Sequence, residues 1–246
     1  MATNSGDLEI IRDDLKDGDA FSEDPSDVFS TVFNPVEAKA FGLDDTYVLH
    51  INLASDRSQL FAALSDGSIL NVDPSSLTEK SRAPKNSETV TGLRSSPLDP
   101  SLAFSCSLDG NVRLHDFRDG SHKAGKIFSS QSGKYPAKPL TSFDASTGGR
   151  LLCAGTEQVK HDAFLLFWDV RQDGAALGGY WDSHEDDVTA VAFNPGAGDV
   201  LASAGTDGIV NVFDVSATCE DDALATSINT ESSVQVRRTI FAFKLN

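Results

Sequence analysis

Apolar and polar positions in this chain alternate in short bursts separated by turn residues. The clearest burst is Leu201-Ala-Ser-Ala-Gly-Thr-Asp-Gly-Ile-Val-Asn-Val-Phe-Asp214. Leu201 to Ala204 predict one strand, and Thr206-Asp207-Gly208 a tight turn in which glycine takes positive φ. Ile209, Val210, Val212 and Phe213 predict a second, mostly apolar strand closed by Asp214. Such a hairpin cannot bury its own faces, so it predicts one unit of a stack.

The unit recurs. Val90-Thr-Gly-Leu-Arg-Ser-Ser-Pro97 aligns with Val188-Thr-Ala-Val-Ala-Phe-Asn-Pro195. At the same offset of 98 residues, Ser105 falls on Ser203, Asp109-Gly110 on Asp207-Gly208, Val112 on Val210 and Asp116 on Asp214. Phe143, Cys153 and Glu157 keep the spacings of Phe193, Ser203 and Asp207, with five extra residues, 158–162, before Trp168-Asp169. A weaker copy runs from Ser65-Asp66-Gly67 to Asp73. The closing aspartates, Asp73, Asp116, Asp169 and Asp214, step by 43, 53 and 45 residues. A four-stranded propeller blade repeats every ~40–45 residues and closes on Trp-Asp. The insertion and a loop account for the long step. Before the first copy, Tyr47, Leu49, Ile51 and Leu53 alternate with less apolar residues and predict a half-buried strand.

These residues, with Ser183-His184 and Asp187-Val188 upstream of Phe193-Asn194-Pro195, resemble the WD-repeat β-propeller family. The resemblance covers about residues 46–234 and implies an all-β fold. Four blades are legible, at about 46–73, 90–119, 140–171 and 184–215, and a fifth begins at Ser232-Ser-Val234. The polar stretches Pro74 to Asn86 and Gly120 to Pro139 read as loops. Val28-Phe29-Ser-Thr-Val32-Phe33 opens the repeat region, 28–234, and the resemblance gives such a strand the role of completing the last blade. The end, 235–246, does not continue the repeat. Family members carry more blades, so the expectation is an incomplete ring in a chain shortened from a longer protein.

Composition narrows the partners. The chain of 246 residues carries 20 Lys and Arg against 37 Asp and Glu, a net charge of −17. Twelve acidic and three basic residues fall within 1–45, and 1–27 is predicted to be a disordered acidic tail. An acidic chain without a basic stripe is a poor ligand for nucleic acid or anionic membranes. Cys106, Cys153 and Cys219 are odd in number and far apart, which excludes a zinc ribbon and predicts buried, reduced thiols. No signal peptide or membrane span is legible, so the expected location is cytosol or nucleus. Asp17-Gly18-Asp19 lacks the spacing of a calcium loop, and the acidic run His184-Glu-Asp-Asp187 reads as a solvated loop. No cofactor and no metal are expected.

The candidate site residues follow from the resemblance. In the family a His, a strand Ser or Thr, the turn Asp and the Trp form a buried hydrogen-bonded set. The matching positions here are His184, Ser203, Asp207 and Phe213, with Phe213 lacking the indole donor. Ser105 and Asp109 repeat the pattern. The set imitates a Ser-His-Asp triad, but its recurrence at a fixed offset fits packing rather than catalysis, and no nucleophile elbow accompanies it. The expected function is a non-enzymatic scaffold that binds other proteins. Trp168-Asp169-Val170-Arg171 resembles the motif by which some family members dock onto the adaptor of the cullin-4 ubiquitin ligase, and His115-Asp116-Phe117-Arg118 is a degenerate copy. That resemblance implies Trp168, Asp169, Arg171 and Arg118 as protein-contact residues in a substrate receptor.

Overall fold

Short strands of mixed small and apolar residues, broken by Asp-Gly turns, pair with their neighbours in sequence. The computed structural model describes residues 46–234, apart from 119–123, 134–135, 173 and 218. The expected acidic tail at 1–27, the strand at 28–33 and the divergent end at 235–246 lie outside the described residues. Four antiparallel sheets of four strands follow one another.

The first sheet is β1 (Val48–Leu53), β2 (Leu60–Leu64), β3 (Ile69–Val72) and β4 (Glu79–Ala83). The second is β5 (Val90–Ser95), β6 (Leu102–Ser107), β7 (Asn111–Asp116) and β8 (Ala124–Ser129). The third is β9 (Leu140–Ala145), β10 (Leu151–Thr156), β11 (Ala163–Asp169) and β12 (Gly178–His184). The fourth is β13 (Val188–Asn194), β14 (Ala197–Gly205), β15 (Ile209–Asp214), a short helix α1 (Glu220–Ala223) and β16 (Leu224–Asn229). Within each sheet the strands lie in chain order. The arrangement is consistent with an incomplete propeller. Gly67, Gly110 and Gly208 take φ near +80° in the turns between second and third strands, as the Asp-Gly pairs predict.

Each sheet extends one strand beyond its closing aspartate. The stretches expected as loops hold β4 and β8, and β12, except His184, and β16 lie outside the expected blade spans. The outer strands β4, Glu-Lys-Ser-Arg-Ala, and β16 have one neighbouring strand and water on the other side, so nothing selects an apolar alternation there.

Three apolar clusters weld the sheets. Phe61, Ala63 and Ile69 pack on Val90, Leu93, Ala103 and Phe117. Phe104, Cys106, Val112 and Phe128 meet Leu140, Phe143, Leu152 and Trp168. Leu165, Phe167 and Tyr180 meet Val188, Val191, Phe193, Leu201 and Phe213. Each buried Phe or Leu contributes roughly 1.5–3 kcal/mol, so the interfaces dominate stability. Cys106 and Cys153 are buried free thiols within them, and Cys219 is exposed. The ladder register corrects one alignment. Leu152 faces Trp168 as Leu201 faces Phe213, so Ala154, not Cys153, holds the position of Ser203.

A polar contact repeats at the inner strands. His50 Nε2–H donates to Val90 O at 3.1 Å, Thr91 Oγ1–H to Leu140 O at 2.7 Å and Thr141 Oγ1–H to Val188 O at 2.6 Å. Thr189 Oγ1–H donates to Val234 O in the same way, so Val234 stands where Val90, Leu140 and Val188 begin their strands.

The strand expected to be half-buried behaves differently. His50 and Asn52 of β1 turn toward the second sheet, while Tyr47, Leu49, Ile51 and Leu53 are 41–68 % exposed. Among the described residues no sheet precedes β1 to cover them.

A latch joins the second and third sheets at their outer edge. Ser129 N–H donates to Gly174 O, the Trp168 indole N–H to Ser129 O and Lys126 Nζ to Val170 O. A Cβ on Gly174 would stand 1.7 Å from Ile127 O. Gly174→Ala is therefore expected to cost about 2 kcal/mol or more. Its denaturant midpoint should fall clearly below that of the parent chain, and an unchanged midpoint would rule out the latch.

Candidate functional site

The turn after β14 and the end of β12 bring three of the expected residues together. His184 Nδ1–H donates to Asp207 Oδ2 at 2.9 Å, because a carboxylate can only accept. Nε2 then accepts from the Ser203 hydroxyl at 2.7 Å. Asp207 also accepts from the backbone of Glu185 and Ile209. Phe213 is fully buried nearby in the apolar cluster and adds no polar contact. The connectivity is that of a catalytic triad, but Ser203 is only 1 % exposed, so no substrate atom reaches its hydroxyl in this conformation.

The second sheet solves the same problem with other residues and does not join its expected pair. Asn86 stands where His184 would be and bonds the Gly67 carbonyl. Asp109 is instead gripped by Arg113, with Ser107 and Ser87 hydroxyls completing its shell. Burial would raise the Asp109 pKa, but these donors hold it well below the usual carboxylate range. Ser105 bonds His115 Nε2 at 2.7 Å. His115 precedes the closing aspartate, as Trp168 and Phe213 do, and takes the hydrogen-bonding part of an indole there. Arg113 was not singled out from sequence, and His115 was read only as the first residue of the degenerate His115-Asp116-Phe117-Arg118 copy. A histidine one residue before Asp116 was the available signal.

The third sheet carries the Trp-Asp-x-Arg segment. Trp168 is fully buried against the second sheet. Asp169 accepts Arg171 Nε at 3.0 Å, Arg171 Nη2 at 2.8 Å, the Arg171 backbone N–H at 2.9 Å and Arg150 Nε at 3.3 Å. Hydrogen bonding from Arg171 holds the Asp169 carboxyl well below its ordinary range. Asp116 and Arg118 form the same fork in the second sheet, with Asp99 near Arg118. Both arginines are exposed while the aspartate at 169 is buried.

The inserted residues 158–162 are pinned too. Gln158 N–H donates to Asp187 Oδ1 at 2.7 Å, and its side chain bonds the Glu185 carbonyl. Among the described residues no cluster of His, Cys, Asp and Glu could hold a metal, and no helix is long and apolar enough to cross a membrane.

The family model for the WD domain, the G-beta repeat or WD40, matches residues 79–116 and 177–214. Two segments of the chain, 79–116 and 177–214, are thus recognised as WD40 repeats. Each matched repeat begins at an outer strand, β4 or β12, and ends on the closing aspartate of the next sheet. This offset is why His184, on the third sheet, serves Asp207 on the fourth. An uncharacterized WD repeat-containing protein of Saccharomyces cerevisiae is 30% identical over 200 residues, 80% of this chain and 49% of the relative. DNA damage-binding protein 2 of Bos taurus is 30% identical over 129 residues, 52% of this chain and 27% of its own length. A chain in the crystal structure of a mitotic checkpoint complex matches with a TM-score of 0.64 at 21% identity, covering 78% of this chain and 54% of that one. At that identity the likeness shows the fold alone. The chain spans about half the length of the curated relatives that match four-fifths of it.

Two stability predictions follow from these networks. Asp207→Ala strips the acceptor from His184, Glu185 and Ile209 and should cost about 2 kcal/mol or more in a denaturant titration. Unchanged stability would refute the network. Burial, aided by Arg113, pulls the His115 imidazole down from 6.5 to about 4. The unfolded chain therefore takes up that proton first. The His115 contribution is complete above about pH 6.5 and is lost as pH falls toward 4, by at most about 3 kcal/mol. His115→Asn should flatten stability against pH over that window. An unchanged slope would show that other groups carry it.

Proposed function

We propose that this chain is a protein-interaction scaffold without catalytic activity. The observation that carries the reading is where its chemistry lies. The His-Ser-Asp set is sealed within the sheets, whereas charged strand ends and a pinned insertion stand exposed on rigid supports. Rigid sheets that present variable loops suit partner recognition. We propose His184, Ser203, Asp207 and Phe213, with Ser105 and Asp109, as structural residues.

A net charge of −17 favours protein partners over nucleic acid or anionic membranes. This applies despite the name of the bovine relative, which concerns DNA damage. Three free cysteines fit cytosol or nucleus. The insertion before Trp168 and the segment from Glu220 to Val234 resemble WD repeat-containing protein 89.

A second reading, a substrate receptor of a cullin-4 ubiquitin ligase, is favoured by the Asp169–Arg171 fork. Trp168 anchors the segment in the core while Arg171 offers a planar cation outside it. Arg118 offers a second at the equivalent place. Affinity capture with the intact chain and its Arg171→Ala variant, read by mass spectrometry, tests both. The receptor reading expects the ligase adaptor with the parent chain and at least a tenfold loss with the variant, on the order expected of a single hot-spot residue. Other partners, retained equally by both, would leave the scaffold without the receptor. Capture of chaperones alone would contradict both readings.

A further inference from the structure

One side of the first sheet is buried where no other described sheet lies over it. Phe61, Ala63 and Ile69 turn toward the second sheet. Ladder partners share a side and successive residues alternate, so Ala62, Leu64, Leu70 and Val72 turn the other way. They form an apolar cluster with Leu60 that includes no residue of another sheet. Yet Leu70 is 0 % exposed, Val72 1 %, Leu64 2 % and Ala62 4 %. A sheet face open to water cannot seal a leucine so completely, so this side is covered. On the same side of β1, Ile51 pairs with Ala62 and Leu53 with Leu60, and both remain about half exposed. The cover therefore lies on β2 and β3 and stops short of β1.

The covering chain lies outside the described residues. The short undescribed loops fall within or after the second, third and fourth sheets, which leaves 1–45 and 235–246. The latter follows Val234, which Thr189 holds at the fourth sheet. The former runs directly into β1. Within it, Val28-Phe29-Ser-Thr-Val32-Phe33 places four large apolar side chains in six residues, whereas 1–27 is rich in Asp and Glu. Twelve residues, 34–45, join Phe33 to the described chain. Extended, they span up to roughly 40 Å. The strand β3 lies only about 10 Å from β1, two strand spacings away.

We propose that Val28-Phe29-Ser-Thr-Val32-Phe33 packs across β2 and β3 and buries Leu64, Leu70 and Val72, where a preceding sheet would otherwise stand. Phenylalanines against Leu and Val form the three clusters between sheets, so the chemistry is that of the established interfaces. The segment caps the first sheet, as the terminal unit of a stack requires. It also closes this side of the sheet to partner proteins. This placement differs from the one the family resemblance gives, an added strand on the last sheet.

The test uses the intact chain carrying Cys219→Ser, in which the remaining native thiols, Cys106 and Cys153, are buried. Val72→Cys supplies the probe. The thiol at position 72 should react with a maleimide at least about tenfold more slowly than Cys219 of the parent chain, because access limits reaction. Phe29→Ser with Phe33→Ser should raise its rate at least about tenfold by opening that side alone. Phe241→Ser with Phe243→Ser should leave the rate unchanged. Continued protection of Cys106 and Cys153 distinguishes uncapping from unfolding. A photoreactive p-benzoylphenylalanine in place of Phe29 keeps the segment apolar, and it should cross-link to the peptide that holds β2 and β3. Fast labelling at position 72 without the serine pair, a rate indifferent to that pair, or protection lost with the C-terminal pair instead would overturn the proposal. If the serine pair unfolds the chain, the cross-link decides, and attachment to β16 or to any site other than the first sheet would overturn it.

Discussion

Every sheet in this chain depends on its neighbour to cover an apolar face. A four-stranded sheet with Phe61 and Ile69 on one side, or Leu165 and Phe167, cannot leave that side in water. The adjacent sheet supplies the cover, and a hydroxyl or imidazole on each inner strand fixes the angle of approach. The contacts from His50, Thr91 and Thr141 to the first residue of the next inner strand, and from Thr189 to Val234, are one device used four times. The repeats reinforce this covalently, because the matched segments straddle two sheets.

Within that frame the polar fillings vary. The fourth sheet uses His184, Ser203 and Asp207, and the second uses an Arg113–Asp109 pair with a separate Ser105–His115 contact. In the third, Trp168 reaches across to the Ser129 carbonyl of the second. The bonds of each set stabilise the interface, although His115 Nδ1 is buried without a partner. The same rigidity holds the surface in place. Arg171 follows a tryptophan locked in the core, and the latch at Gly174 bounds the loop behind it.

Much of this was legible in sequence, and the residues show why. The turns at Gly67, Gly110 and Gly208 and the closing aspartates recur because local geometry demands them, so spacing alone exposes the four sheets. The His184–Ser203–Asp207 grouping was legible through the family resemblance. Outer strands were not legible, since β4 and β16 face water and their composition resembles loops. The register at Cys153 was hidden because Phe143 imitates Phe193 in sequence, whereas Ala145, which faces Leu152, holds the place of Phe193, which faces Leu201. The exposure of Leu49 and Ile51 was hidden because alternation reveals a two-faced strand but not what lies beside it. Arg150 was invisible as a site residue because it meets Asp169 only through folding, 19 positions apart.

Stability resides in the interfaces between sheets and declines toward the faces that lack one. Native-state hydrogen exchange, resolved by residue, should then find the greatest protection in β6, β10 and β11, flanked by clusters on both sides, and the least in β1 and β16. Equal protection of β1 and β10 would contradict it, since it would mean that each sheet holds itself together without its neighbour.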